Sequence, residues 1–233
     1  MFKDGIKLTG KVSIKKYNKD KELVQQVDVP NLVVTSGKEF IASRIIEDTA
    51  ETMGYMAIGD DESTVVAGQS SLINEVQRVA VTTATRAGAN ITFTATFGTG
   101  VAADIKEAGV FNVSSSGGIG GFDADAIVQN TPHTFLYPSH PFADGDKVVY
   151  TDGGGVTITG LVDGGVYYVR DSSPSSFALA ASLGGTAIAV EAAAGSGSNH
   201  KITKGAMLCR TTFPLISKSL SETLAIAWVV TVG

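Results

Sequence analysis

Apolar and polar positions alternate along most of this chain in short runs, the pattern of strands that bury one face. Gly5 to Tyr17 alternates first and Leu23 to Val29 follows more loosely. The polar run Asn18-Lys19-Asp20-Lys21 between them predicts an N-terminal hairpin, with Pro30-Asn31 ending or bending its second strand. The period then changes. Ser36 and Glu39 stand at capping-box spacing, and Phe40, Ile41, Arg44, Ile45 and Asp48 follow at helical intervals, so a helix is expected from this point. Tyr55 to Ile58 reads as a short buried strand ending in the turn Gly59-Asp60-Asp61. A second short helix is expected from Ser70 or Ser71 to Val76, with Leu72 and Val76 on one face. Further strands are expected over Val79 to Ala87, Asn90 to Phe97, Lys106 to Phe111, Met207 to Phe213 and Leu220 to Val232. In the last of these Leu224, Ile226, Trp228, Val230 and Val232 all point one way, which predicts that Trp228 lies in the core.

Between Val113 and Gly205 the composition shifts. The stretch opens with the Gly/Ser run Ser114 to Gly121, expected to be flexible, and closes with Gly195-Ser196-Gly197-Ser198-Asn199. Inside it Asp144 to Tyr150, Leu161 to Val169 and Ser176 to Ala180 form a small β pattern. The expected organisation is a host domain made of residues 1–112 and 206–233, interrupted by an inserted domain at 113–205. The fold class expected is mainly β: a β-sandwich-like host with one or two short helices, plus a small all-β insert that projects from it.

Four segments of the host carry a resemblance when taken in order: Ala57-Ile58-Gly59-Asp60-Asp61, Leu72-Ile73-Asn74-Glu75-Val76-Gln77-Arg78, Glu107-Ala108-Gly109-Val110-Phe111-Asn112, and Met207-Leu208-Cys209-Arg210-Thr211-Thr212-Phe213 followed by Ile216-Ser217-Lys218. Their order resembles a module of tailed-bacteriophage virion proteins, found in tail-collar and fibre-attachment proteins and in stand-alone head or tail accessory proteins. The insert, in turn, resembles a small β module of phage fibre and adhesin-like proteins. The resemblance implies a non-enzymatic virion building block, either an accessory subunit of the tail or neck (fibre-attachment or adaptor type) or of the capsid surface (decoration or cement type). Its expected partners are other virion proteins and further copies of itself, and its expected location is the virion after assembly in the host cytoplasm.

Composition narrows the chemistry. Charged residues are 18% of the 233 and the formal net charge is −5, so a basic face for general nucleic-acid binding is not expected. Lys3, Lys7, Lys11, Lys15, Lys16, Lys19 and Lys21 are read as the solvated face of the first strand, discouraging edge pairing. No apolar run approaches the length that spans a bilayer and no leader pattern opens the chain, so a soluble cytoplasmic product is expected. Cys209 is the sole cysteine, read as packing, which excludes an intrachain disulfide. The histidines are His133, His140 and His200, all in the insert and without a nucleophile at matching spacing, so no catalytic residue is assigned. Asp60, Asp61 and Glu62, and the pairs Asp123/Asp125 and Asp144/Asp146, offer hard oxygen ligands but read as solvated loop acids; no metal or cofactor is expected. Glu75 and Arg78, one helical turn apart, are read as a surface ion pair. A competing function is an adhesive or host-surface glycan-binding module that stacks sugars on Phe135, Tyr137, Phe142, Tyr150, Tyr167 or Tyr168 of the insert.

Overall fold

The computed structural model of the chain describes residues 7–44, 52–114, 116–192 and 197–233. In chain order it forms β1 (Leu8–Tyr17), β2 (Leu23–Pro30), β3 (Leu32–Val33), α1 (Thr35–Ser43), β4 (Tyr55–Gly59), β5 (Glu75–Ala80), β6 (Thr83–Ala87), β7 (Asn90–Phe97) and β8 (Ala103–Phe111). The insert adds β9 (Gly118–Phe122), α2 (Ala124–Ile127), β10 (Val128–Gln129), β11 (Thr134–Leu136), β12 (Lys147–Thr151), β13 (Val166–Ser173), β14 (Ser176–Ala180) and β15 (His200–Lys204). The chain then closes with β16 (Met207–Lys218) and β17 (Thr223–Val232). The fold is mainly β, as the alternation implied, and every sheet is antiparallel.

Two compact units emerge. The first comprises Met1–Val34, Ala50–Ser114 and Met207–Gly233, and the second Thr35–Thr49 and Ser115–Ala206. The segment carrying α1 therefore groups with the insert, although the sequence placed it in the host. Helix α1 starts at Thr35, so Ser36 lies inside its first turn rather than capping it. Ile45 and Asp48, expected on the same helix, lie outside the described residues, as does Lys3.

The first unit holds two five-stranded sheets, ordered β2-β1-β17-β7-β6 and β3-β16-β8-β4-β5. The chain crosses between the two sheets four times, and two of these crossings are tight corners. Pro30 and Asn31 lead from β2 to β3, and Val81 and Thr82 lead from β5 to β6. The single strand expected over Val79 to Ala87 is thus two strands in different sheets. The break is fixed by the Val81 N–H donating to Gly54 (2.8 Å) and the Thr82 N–H to Thr94 (2.7 Å). Strand β17 keeps the expected phase: Leu224, Ile226, Trp228 and Val230 are buried and alternate with half-exposed neighbours. Strand β1 sits between β2 and β17, so its lysines do not guard an edge; the edge strand is β2. Lys16 is half-buried and pairs with Glu222 at 3.3 Å.

Although the insert separates them by almost a hundred residues, β8 and β16 are hydrogen-bonded neighbours, with Met207 opposite Phe111 and Cys209 opposite Val110. No helix forms at Ser70 to Val76. Residues 60–74 run as a loop, and Glu75 already belongs to β5, whose ladder with β4 places Val79 opposite Met56. Leu72 is instead buried with Val34, Ala57, Phe111 and Met207.

The second unit is a seven-stranded sheet, ordered β10-β11-β14-β13-β12-β15-β9. Its core gathers Phe122, Phe135, Phe142, Tyr150, Ile158, Tyr167, Phe177 and Ile202. The Gly/Ser run expected to be flexible contains β9, which pairs with β15 and buries Ile119 and Phe122. Gly118 is required there, because a Cβ would stand 2.4 Å from the Ile202 carbonyl oxygen. Strands β10 and β11 and the short helix α2, N-capped by Asp123, had no counterpart in the sequence pattern.

Candidate functional site

At least one polar residue from each of the four resemblance-bearing segments joins a single network in the first unit. Glu107 of β8 and Arg210 of β16 both have 0% exposure, and the Arg210 Nε donates to Glu107 Oε2 at 2.7 Å. Alternation along each strand puts them on the face that also carries Gly109 and Phe111. The loop 60–74 lies over that face. A Cβ on Gly109 would come within 3.1 Å of the Leu72 side chain.

Each partner then spends its remaining capacity on the loop. The Glu107 carboxylate accepts the backbone N–H groups of Ile73 (3.3 Å) and Asn74 (2.9 Å). These bonds tie the end of the loop to β8 just before β5 begins. The Arg210 guanidinium donates to the Ser63 carbonyl (3.1 Å), to Gln69 Oε1 (3.0 Å) and to Asp61 Oδ1 (3.4 Å). Asp61 also accepts from Ser63, and these bonds, with Arg210 nearby, hold its carboxyl below the usual carboxylate range. Asn74 Nδ2 donates to Asp60 at 2.6 Å, closing the base of the loop. Gly59 fits because a Cβ there would lie 2.5 Å from Glu107 Oε1 and 2.4 Å from the Asn74 carbonyl oxygen.

Glu75 and Arg78 do pair, at 2.6 Å, but on strand β5 rather than on a surface helix, and both side chains are largely covered. The guanidinium lies 3.8 Å over the Phe111 ring and donates to the Val113 carbonyl. Sequence reasoning did not single out Glu107 and Arg210. The available signal was a charge of each sign set on apolar strand segments, Ile105 to Phe111 and Met207 to Phe213.

As chemistry, the network is closed: its charged groups are engaged by fixed partners, with no nucleophile beside a base. Cys209 on β16 is fully buried, and burial pushes its thiol well above the ordinary range. The loop acids behave separately rather than as a cage, since Asp60 faces Asn74, Asp61 faces Ser63 and Arg210, and Glu62 pairs with Lys106 at 2.9 Å. Asp144 accepts the Ser172 N–H, and Asp146 accepts the Ala143 N–H and pairs with Lys204. Among the described residues no group of three or more His, Cys, Asp or Glu is placed to hold a metal ion.

The second unit has its own polar centres. The Tyr150 hydroxyl lies 2.8 Å from His200 Nδ1 and accepts the Ile158 N–H at 3.0 Å, and burial pushes the phenol up to about 12. His133 Nδ1 meets the Val190 carbonyl and His140 Nε2 the Ser176 carbonyl. Phe135, Phe142, Tyr150 and Tyr167 are buried in the core, Tyr137 packs against it half-buried, and Tyr168 is half-buried outside it. A shallow groove of about 410 Å³ is lined by Asp144, Val169, Arg170, Asp171 and Leu183, where Arg170 pairs with Asp171 at 2.8 Å. On α1, burial and the nearby Asp163 carboxylate raise Glu39 to about 7.

Compared with known proteins, the chain matches no family model, no curated protein and no solved structure. Among the described residues no helix is long and apolar enough to cross a membrane.

Proposed function

We propose that the chain is a non-enzymatic structural subunit of a tailed-bacteriophage virion, an accessory protein of the tail or neck (fibre-attachment or adaptor type) or of the capsid surface. One observation carries the reading. The four segments that resemble the virion module each supply a member of one interlocked network: Gly59, Asp60 and Asp61 from the first, Asn74 from the second, Glu107 from the third and Arg210 from the fourth. The interlock supports reading the four segments as parts of one structural unit.

The physics suits an assembly role. A buried ion pair is a poor source of stability but a good device for fixing one conformation. Here it fixes a fifteen-residue loop (residues 60–74) that lacks regular secondary structure, a kind of segment that functional surfaces often use. The adhesive alternative keeps only the half-buried Tyr137 and Tyr168 of its six candidate rings, since Phe135, Phe142, Tyr150 and Tyr167 are buried. The test is co-purification: the protein should sediment with infectious particles through a density gradient and stay with them after a high-salt wash. Recovery only in the soluble fraction of the lysate contradicts the reading.

A further inference from the structure

Strand β6 is exposed at all five residues, Thr83 to Ala87, so neither of its faces is covered. It ends the sheet beyond β7 and is held by its ladder and by the 2.6 Å hydroxyl contact between Thr83 and Thr94. Ordering such a strand costs backbone entropy that burial in the monomer does not offset. The opposite edge, β2, is blunted by Asp28, by Pro30 and by an irregular register at Lys16/Tyr17. Strand β6 has no proline, no register shift and one charge, Arg86.

The hydrogen-bond parity of this edge can be worked out. Gly88 and Ala89 form a two-residue connection between Ala87 and Asn90, with Gly88 at φ +58°. In such hairpins the closing pair is hydrogen-bonded, so Ala87, Thr85 and Thr83 turn their N–H and C=O groups toward β7. Ala84 and Arg86 therefore turn theirs outward. An antiparallel copy of the same strand centred on Thr85 sets Ala84 opposite Arg86 of the other copy, and Arg86 opposite Ala84. Both are outward-facing pairs, so four ladder bonds form. No like charges oppose each other, whereas centring on Arg86 would stack two guanidinium groups.

We propose that β6 is a self-association edge, pairing antiparallel with β6 of a second copy about a twofold axis through Thr85 and continuing the sheet across the dimer. Strand addition of this kind needs no special side chains, and a twofold contact is isologous. The inference rests on reading the chain as an assembling subunit and assigns that subunit's self-contact.

Cysteine cross-linking tests it. At the twofold, Thr85 and its symmetry mate form a non-hydrogen-bonded pair with Cα atoms about 4.5 Å apart, inside the disulfide range of about 4.4–6.8 Å. The two Thr83 residues would stand about 14 Å apart, four residues of strand rise. The native Cys209 is buried and does not compete. Under mild oxidation of the full chain, Thr85→Cys should form a covalent dimer and Thr83→Cys should stay monomeric. Adding Ala84→Pro, which removes an outward donor that the monomer does not use, should suppress the Thr85→Cys dimer while Trp228 fluorescence stays native. Failure of Thr85→Cys to dimerise at its highest soluble concentration overturns the proposal, as does equal dimerisation of Thr83→Cys. Failure of the subunit reading shows differently: the protein would be missing from particles while the cross-link persisted.

Discussion

Substituting Glu107 by Gln tests the clamp with almost no change of shape. The wild-type carboxylate faces the Arg210 Nε at 2.7 Å with both side chains fully buried. An amide there can still accept one N–H from the loop, but it leaves the guanidinium as a buried charge whose nearest carboxylate is Asp61 at 3.4 Å. Breaking a buried pair by removing one partner costs about 3–5 kcal/mol. If the amide turns its NH2 toward the loop, a backbone donor at Ile73 or Asn74 is also orphaned, at about 1–3 kcal/mol. The contributions overlap, so about 4 kcal/mol is expected for Glu107→Gln. The double variant Glu107→Leu with Arg210→Met leaves no unpaired buried charge, so it should be less destabilised than either single change. Trp228, the only tryptophan, lies in the first unit, so its fluorescence in a denaturant titration reports that unit. Amide exchange at residues 61–74 should rise both in Glu107→Gln and in the double variant. A loss below about 1 kcal/mol for Glu107→Gln, with loop exchange unchanged, would refute the clamp.

Three further outcomes follow from the same geometry. Trp228→Ala should cost about 3–5 kcal/mol, because the indole is fully buried on β17; red-shifted, freely quenched native emission from the wild type would contradict that burial. Gly59→Ala should destabilise the first unit in denaturant titrations, since the new methyl would collide with the Asn74 carbonyl and the Glu107 carboxylate together; a neutral result would mean the loop base yields freely. Glu39 is raised in the fold to about 7 from 4.5, by burial first and Asp163 second, so its contribution is fully present below pH 4.5 and is lost as pH rises through 7. The shift caps this at about 3 kcal/mol, and partial solvent screening reduces it to about 1–2 kcal/mol. The neighbouring charge that adds to the effect of burial is the Asp163 carboxylate. The difference between wild type and Glu39→Gln, followed by far-UV circular dichroism from pH 4 to 8, should show that slope, and parallel curves would refute it.

Much of the strand framework was legible because it depends on local periodicity. Asn90 to Phe97 and Ser176 to Ala180 appear in the fold with the expected bounds. Leu224 to Val230 keep their phase because one face of β17 is wholly buried. What the sequence hid was decided by distant partners. The apolar spacing of Leu72 and Val76 suits a helix, yet the Glu107 carboxylate thirty-odd residues away takes the backbone donors and Leu72 enters a cluster built from β4, β8 and β16. Val79 to Ala87 is a run of Val, Thr and Ala broken only by Arg86, with no glycine, proline or asparagine to show that Val81 and Thr82 turn between sheets. The clamp itself was half visible. Arg210 and Glu107 are charges on otherwise apolar strand segments, a signal the sequence reading passed over, and their pairing depends on the β8–β16 register across the insert, which no local pattern encodes.

The most direct measurement of the structural reading is the copy number in purified particles, by quantitative mass spectrometry against the major capsid protein. A fixed multiple on every preparation is expected. About six or twelve copies would place the protein in a ring of the tail or neck, and a number in the hundreds would place it on the capsid lattice. Trace amounts that vary between preparations, or complete absence, would contradict the account.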